Sequence, residues 1–229
     1  MGVSGRFVIA IDGPAGSGKS SVARGVAEEL GAADLNTGSL YRAVALVAIS
    51  RGLDLGSGEE LSGAAAGLEL DERGVLAGGE RVSEQDLRTP EVSAAASRVS
   101  VHPEVREALV AVQRSAAEGA AQVGGAVVEG RDIGTVILPE AELKVFLLAA
   151  PGERARRRAL QTGREDEVDR IQEAIEVRDR QDSEREVSPL RPAPDAVVLD
   201  TTGLGLEEVV DRIVVLARER VSGAGETGG

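Results

Sequence analysis

The sequence contains no cysteine and no tryptophan, and its aromatic side chains are Phe7, Tyr41 and Phe146. Without cysteine there can be no disulfide and no thiolate metal site. So few aromatic rings argue against a protein that stacks unpaired bases on aromatic side chains, and they require a core built from Val, Leu, Ile and Ala. The net charge of −13 argues against a general surface for polyanions, so we expect no nucleic-acid partner.

Long hydrophobic runs are also missing. The longest apolar stretches are far shorter than a membrane-spanning helix requires, and residues 1–13 lack a secretory cleavage pattern. We therefore expect a cytoplasmic protein with no membrane partner. At 229 residues the chain is long enough for one large α/β domain, with or without an insertion.

Short, continuous runs of β-branched and other apolar residues predict strands that are buried on both faces, as in a parallel sheet. These runs cover residues 7–11, 32–35, 126–128, 143–148 and 196–199. Between them, residues 21–30 and 206–221 repeat apolar side chains with helical spacing. Strands that alternate with helices indicate a doubly wound α/β fold.

One region interrupts this alternation. Residues 68–87 alternate apolar and polar side chains around two glycine turns, which predicts a small antiparallel hairpin or meander. Two amphipathic helices are predicted after it, at 90–99 and 103–117, so the whole segment resembles an insertion. Residues 151–185 predict two charged helices around a loop near Gly163, and we expect no regular structure at 1–5 and 222–229.

Residues 13–20, GPAGSGKS, have the spacing of a phosphate-binding loop, between a predicted strand and a predicted helix. Glycines let the backbone wrap around a phosphate with its N–H groups inward, and the helix adds the positive end of its dipole. Lys19, one of only two lysines, can reach the β- and γ-phosphates of ATP, and the Ser20 hydroxyl can bind Mg²⁺. The predicted nucleotide-binding residues are Gly13, Pro14, Ala15, Gly16, Ser17, Gly18, Lys19, Ser20 and Ser21.

A phosphate-binding loop alone does not distinguish a kinase from a nucleotide-dependent switch. A GTPase needs an Asn-Lys-x-Asp motif, but Asn36 is the only asparagine and no lysine follows it. Two loose D-x-x-G matches, at 71–74 and 200–203, are interpreted as turns. Arginines at 154–158 and at Arg178, Arg180 and Arg185 favour phosphoryl transfer, which needs positive charge around the migrating group and exclusion of water. The alternative is exposed helix faces with ion pairs between neighbouring turns.

Several stretches also resemble the motifs of one family, the bacterial cytidylate kinases. The matching stretches are IDGPAGSGKS at 11–20, LNTGSLYRAVAL at 35–46, LRTPEVSAAASRVSVHPEVREAL at 87–109, EGRDIGTVILPEA at 129–141, RDRQDSEREVSPL at 178–190 and DAVVLDTT at 195–202. The resemblance covers about residues 6–221. Thr37 stands where a serine is common, and Gln181 stands in a run that often holds another basic residue.

The resemblance implies a P-loop NTPase fold with a five-stranded parallel sheet flanked by helices. It implies one nucleoside monophosphate kinase domain, 1–229, that acts as a monomer. Its core would cover about 6–36, 125–150 and 190–221. An enlarged segment of about 37–124 would bind the nucleoside monophosphate, and about 151–189 would form a small lid. It further implies transfer of the γ-phosphate of ATP to CMP or dCMP with Mg²⁺, and contact with adenine near 201–206.

The resemblance also implies site residues. In the transfer step we expect positioning and charge stabilisation by Lys19, Arg131, Arg185 and Arg157, with the arginines of 154–158 closing onto ATP. Asp132 and Ser97 would face the amino group of cytosine, Arg106 its N3, and Asp182 the ribose, although Asp132 could instead hold an arginine. The expected substrate-binding residues are Thr37, Arg42, Ser97, Arg106, Arg131, Asp132, Arg178, Asp182 and Arg185.

Two alternatives remain open at this point. A kinase of the same architecture could act on another small acceptor, such as a different nucleotide or a hydroxy acid. A regulatory P-loop ATPase or GTPase would have no small acceptor at all.

Overall fold

The computed structural model describes residues 6–224, with side chains as far as residue 221. Its strands are β1 Val8–Asp12, β2 Ala33–Asn36, β3 Leu68–Asp71, β4 Gly74–Ala77, β5 Glu80–Arg81, β6 Ala126–Glu129, β7 Leu143–Leu148 and β8 Val197–Asp200. Its α-helices are α1 Lys19–Leu30, α2 Gly38–Arg51, α3 Gly58–Ala65, α4 Glu84–Leu87, α5 Pro90–Val99, α6 Pro103–Val123, α7 Pro151–Thr162, α8 Val168–Glu184 and α9 Leu206–Ala224.

Within the described residues, the larger sheet is five-stranded and parallel, in the order β2-β6-β1-β7-β8, with helices around it. The predicted α/β fold is therefore confirmed. β1 lies at the centre of the sheet and its last residues are buried, as its continuous apolar run requires. The carboxyl ends of parallel strands form one edge of the sheet, which is where α/β proteins place their ligands.

The chain divides into two compact units, one of Met1–Asp34 with Ala121–Gly229 and the other of Leu35–Ala120. In the first, the aliphatic side chains of β1, β7, α1 and α9 form the main core, which Phe7 joins. The helices α7 and α8 carry a smaller core of Ala155, Ala159, Ile171 and Ile175. The lid region thus has more apolar packing than its charged sequence indicated.

The second unit holds α2, α3, the meander β3-β4-β5, α4, α5 and most of α6. The meander is antiparallel, and Arg81 pairs with Asp71 across it at 2.7 Å. Thr89 caps α5 by accepting a hydrogen bond from the Val92 N–H at 3.2 Å, and Pro90 occupies the first turn. The predicted antiparallel meander and the two helices after it are confirmed.

Some boundaries differ from the prediction. Residues 84–87 form α4 instead of extending the meander, α6 continues six residues past 117, and α9 runs to Ala224. Residues 1–5 and 225–229, for which no regular structure was expected, lie outside the described residues. A π-helical segment, Ile133–Ile137, was not predicted. No described helix is both long and apolar enough to span a bilayer.

Candidate nucleotide-binding site

The phosphate-binding loop connects β1 to α1. Its glycines adopt backbone angles that other residues rarely take, with φ of 151° at Gly13 and 74° at Gly16. A Cβ atom would lie 2.4 Å from the Leu147 carbonyl oxygen at Gly13 and 2.9 Å from the Arg154 carbonyl oxygen at Gly16. Glycine is therefore required at both positions for a steric reason as well as a conformational one.

Lys19 begins α1 and is buried. Its Nζ donates a hydrogen bond to the Pro14 carbonyl oxygen at 2.7 Å. Burial lowers the pKa of Lys19 well below its usual value, and repulsion by Arg131 and Arg178 lowers it further, against the attraction of Glu129. Such a crowded positive charge at a helix N-terminus is an anion-binding arrangement.

Ser20, the second residue of α1, contacts the end of a neighbouring strand. Its hydroxyl donates a hydrogen bond to Glu129 Oε2 at 2.9 Å, and Glu129 is the buried last residue of β6. Asp34 lies close enough that burial, followed by repulsion from Glu129, raises its pKa to about 6. Ser21, the next residue of α1, is exposed.

These oxygen atoms suit Mg²⁺. A hard cation of this size binds through one or two protein oxygens, with phosphate and water supplying the rest. Ser20 and Glu129 provide a hydroxyl and a carboxylate within hydrogen-bond distance of each other. The described part of the chain holds no group of three or more acidic or histidine side chains arranged to bind a metal ion.

A second cationic cluster surrounds Asp182 on the last turn of α8. Arg131 donates from Nε to Asp182 Oδ2 at 3.1 Å, and Arg185 Nη1 lies 3.5 Å from Asp182 Oδ1. Burial alone would raise the pKa of Asp182, but the attraction of Arg131, Arg185 and Arg178 outweighs it and lowers that pKa. Because Arg131 and Arg178 also act on Lys19, the cluster and the loop form one electrostatic site.

Asp12, the last residue of β1, holds the start of the π-helical turn Ile133–Ile137, which lies two residues after Arg131. Asp12 accepts hydrogen bonds from the N–H groups of Ile133 at 2.9 Å and Gly134 at 2.8 Å. Its burial raises its pKa to about 6, although these two bonds lower it. Asp132 is buried at the start of the turn, and its carbonyl oxygen accepts from the Val136 N–H at 2.9 Å.

The arginines of 154–158 occupy different positions. Arg154 is buried and forms an ion pair with Asp179. Arg157 donates to the hydroxyl of Thr201 at 2.9 Å and to its carbonyl oxygen at 2.6 Å. Arg156 pairs with Glu153 on the surface, as the alternative of exposed helix ion pairs predicts.

The remaining expected acceptor-binding residues belong to the second unit. Thr37, which is buried, precedes α2, and Arg42 is half-buried in that helix. Arg106 is buried, donates to the Ser100 carbonyl oxygen at 3.3 Å and lies 5.4 Å from the ring centre of Tyr41. The hydroxyl of Ser97 lies 3.4 Å from the Ser93 carbonyl oxygen.

Sequence reasoning missed three carboxylates of this site, Asp12, Glu129 and Asp179. Asp12 and Glu129 each directly follow a predicted strand and end the observed one, so the rule that ligands bind at the carboxyl ends of parallel strands would have found them. Asp179 gave no such indication, because its partner Ala15 lies 164 residues away in sequence.

Residues 9–219 match the protein-family model that is described as cytidylate kinase. The chain belongs to the cytidylate kinase family. A cytidylate kinase from Desulfitobacterium hafniense is 46% identical over 221 residues, which cover 93% of both chains. One from Mycobacterium leprae is also 46% identical, over 95% of this chain and 98% of that protein.

Among solved structures, an uncharacterized protein from Eubacterium ventriosum is 14% identical, with a TM-score of 0.52 over 94% of this chain and 99% of that one. That likeness concerns the fold alone. The cytidylate kinase match is more informative, because it spans the phosphate-binding loop, the Asp182 cluster and the helices α2, α5 and α6. His102, which was not expected to be catalytic, contacts the Leu55 carbonyl oxygen at 2.9 Å before α6.

Proposed function

We propose that this chain transfers the γ-phosphoryl group of ATP to CMP or dCMP in a reaction that requires Mg²⁺. The observation that carries the proposal is the phosphate-binding loop with buried Lys19 at the start of α1, together with Arg131 and Arg185, which buried Asp182 holds at 3.1 Å and 3.5 Å. A donor triphosphate and an acceptor phosphate together supply the negative charge that such a site is built to stabilise.

The acceptor needs no strong base. An oxygen of the CMP phosphate is already anionic, so it can attack the γ-phosphorus while the bond to the bridging oxygen of ADP breaks. Catalysis then consists of positioning and charge stabilisation. Lys19 would stabilise the β- and γ-phosphate oxygens, and the loop N–H groups would orient them.

Ser20 and Glu129 are the residues that would hold Mg²⁺. The ion would neutralise charge on the β- and γ-phosphates. Glu129 supplies the only carboxylate that contacts Ser20 within the described residues, at 2.9 Å. Ser20 therefore has a partner that keeps its hydroxyl oriented before nucleotide arrives.

For the acceptor phosphate we propose Arg131, Arg185, Arg178 and Arg42. Guanidinium groups bind phosphate oxygens two at a time, which lysine cannot do. Asp182 holds two of these arginines in place and could accept a hydrogen bond from the ribose. Arg157 is proposed to act on the ATP side, since it lies 3.8 Å from where a Cβ atom of Gly18 would stand.

For the base we propose Ser97, Arg106 and Asp132, with Thr37 also contacting the nucleotide. Cytosine presents an amino donor at N4 and a bare acceptor at N3, whereas uracil presents the opposite polarity at both. A carboxylate facing N4 and a guanidinium facing N3 would therefore favour cytosine, and uracil would leave buried groups unpaired. Arg106 and Asp132 are both buried, so an unpaired group would not be solvated.

We further propose the organisation expected from the resemblance, one domain with a core, an insert that binds the nucleoside monophosphate and a lid. The boundaries are those given for the sequence, and the protein would act as a cytoplasmic monomer. Gel filtration with light scattering would test the oligomeric state. A dimer at working concentration would contradict the monomer but would leave the reaction unaffected.

A coupled assay of ADP release tests the reaction itself, with CMP, dCMP, UMP, AMP, GMP and shikimate as acceptors. We expect good turnover with CMP and dCMP. For UMP, kcat/KM should be lower by the equivalent of about 1–3 kcal/mol of transition-state stabilisation, which is the cost of an unsatisfied buried polar group. Slow turnover that no acceptor stimulates would indicate a regulatory NTPase, and preferred use of another acceptor would indicate a different kinase.

The variant Arg106→Ala should reduce kcat/KM for CMP sharply and narrow the gap between CMP and UMP. Arg98→Ala is the matched control, because Arg98 is an exposed arginine on the neighbouring helix α5. Equal losses for CMP and UMP in Arg106→Ala would contradict the assignment of Arg106 to the base.

A further inference from the structure

The backbone of Ala15, within the phosphate-binding loop, is held from both sides by side chains of α7 and α8. Its N–H donates to Asp179 Oδ1 at 3.0 Å, and its carbonyl oxygen accepts from Arg154 Nη1 at 3.0 Å. Arg154 and Asp179 also form an ion pair with each other. Both polar groups of one loop residue are thus bound by a single ion pair.

This ion pair is well shielded from water. The exposed fractions are 8% for the side chain of Arg154 and 17% for that of Asp179. Arg154 also donates from Nε to the Ala149 carbonyl oxygen at 3.0 Å, so its guanidinium has a fixed orientation. A charge-assisted bond in such surroundings is stronger than the same bond on an exposed surface.

The backbone of α7 also limits the loop. The Arg154 carbonyl oxygen stands 2.9 Å from where a Cβ atom of Gly16 would be. Ala15 packs against the small apolar core of α7 and α8. The two helices therefore shape the outer side of the loop, whereas Lys19 and the N-terminus of α1 lie at its end.

We propose that Asp179 and Arg154 are positioning residues that fix the phosphate-binding loop in the shape that receives the triphosphate of ATP. The proposal rests on the proposed function, because it assigns these residues to the donor side of that reaction. Backbone donors stabilise phosphate best when they are already oriented, since no free energy is then spent on ordering them. The pair binds both backbone polar groups of Ala15, the residue between Pro14 and Gly16.

A purely structural role is the competing explanation, in which the ion pair only joins α7 to α8. That junction already has the apolar contacts of Ala155, Ala159, Ile171 and Ile175. Loss of the ion pair should therefore loosen the loop more than the helix pair. The two explanations differ in what happens to ATP binding in a variant that remains folded.

The experiment measures the dissociation constant of MgATP by isothermal titration for the full chain and for Asp179→Ala, Asp179→Asn and Glu176→Gln. Asp179→Ala should weaken MgATP binding about tenfold or more, because a charge-assisted bond and the anchor of Arg154 are lost. Asp179→Asn should lose less, since its amide oxygen can still accept from the Ala15 N–H. Glu176→Gln, on the exposed face of the same helix where Glu176 pairs with Gln172, should match the wild type.

Two further readouts separate positioning from folding. The KM for CMP should stay within about twofold in all three variants, since the ion pair contacts only the donor side. Amide hydrogen exchange of residues 15–18 should accelerate in Asp179→Ala, while exchange in the middle of α7 and α8 stays unchanged. If Asp179→Ala does not fold, Arg154→Lys replaces it, because lysine keeps the charge but lacks the planar fork of donors with which Arg154 reaches Ala149, Ala15 and Asp179.

The proposal is overturned if a folded Asp179→Ala or Arg154→Lys binds MgATP within about twofold of the wild type while its Tm falls. Failure of the proposed function looks different: the wild type would bind MgATP but transfer no phosphate to CMP. In that case the dependence of MgATP binding on Asp179 would still be measurable.

Discussion

Replacing Lys19 with methionine should separate function from stability. Lys19 is buried, and burial together with Arg131 and Arg178 disfavours its charged form. Methionine has a similar length and no charge, so Lys19→Met removes the cost of keeping that charge inside the protein. The same change removes the positive charge that we propose stabilises the migrating phosphoryl group.

The magnitudes can be set against each other. Replacing a buried charged group with an apolar one of similar volume is often neutral or stabilising by about 1–4 kcal/mol. The substitution also leaves the Pro14 carbonyl oxygen without the 2.7 Å bond from Nζ, which costs about 1–3 kcal/mol if no water replaces it. We therefore expect the free energy of unfolding without nucleotide to fall by no more than about 1 kcal/mol, and it could rise. By contrast, kcat should drop about 10²- to 10³-fold, as for the loss of one electrostatic contact to a transition state.

The chain offers a matched control, since Lys144 is its only other lysine. Lys144 pairs at 2.9 Å with Asp195, which belongs to neither the loop nor the Asp182 cluster. Lys144→Met should leave kcat within about twofold, and since its partner Asp195 is exposed, the free energy of unfolding should change little. Urea unfolding at pH 7 and the coupled assay of ADP release measure the two quantities. A folded Lys19→Met with near-normal kcat would refute the reasoning, as would equal losses of kcat in both variants.

Three further predictions concern the carboxylates and the loop. Asp182→Ala should lower the free energy of unfolding by about 3–5 kcal/mol in urea at pH 7, because Arg131 and Arg185 lose their buried partner; a loss below about 1 kcal/mol would contradict this. Burial raises the pKa of Asp12 from its ordinary value of 3.8 to about 6 in the folded state. The folded state therefore binds more protons than the unfolded state between these values, so Asp12 should make stability fall as pH rises from about 4 to 6. That fall should be reduced in Asp12→Asn, and an unchanged pH profile would refute it. Gly16→Ala should cost at least about 1 kcal/mol of stability and weaken MgATP binding, because φ is 74°; unaltered binding in titration would count against it.

The parallel sheet could be predicted because its strands are short, continuous apolar runs. β7 was predicted at its observed bounds, and the other sheet strands within one residue at each end. Helix α2 was not predicted because its residues are apolar nearly all round, so they form no stripe at helical spacing. The π-helical turn depends on Asp12, whose carboxylate binds two N–H groups about 120 residues further along the chain. No local pattern contains that information.

Only part of the candidate site could be predicted, because some of its residues lie in local motifs and others make contacts that are distant in sequence. The glycine spacing of the loop identified Lys19 and Ser20, because that motif is local. The family motifs added the arginines, Asp132 and Asp182, whereas Glu129 and Asp179 were not predicted. Glu129 contacts Ser20 across 109 residues of sequence, and Asp179 contacts Ala15 across 164. Such contacts follow from the order of strands and helices in space and become visible only in the folded structure.

Two of the buried carboxylates of the site, Asp182 and Asp12, have different tasks, as the opposite shifts of their pKa values indicate. Asp182 faces guanidinium groups, which lower its pKa, so it remains charged and holds the arginines while no phosphate is bound. Asp12 bonds only to backbone N–H groups among its close partners, and burial raises its pKa to about 6, so it orients the chain more than it balances charge. A chain of net charge −13 can thus keep a compact cationic site ready for phosphate, because one carboxylate neutralises the cations and the other fixes the backbone that presents Arg131.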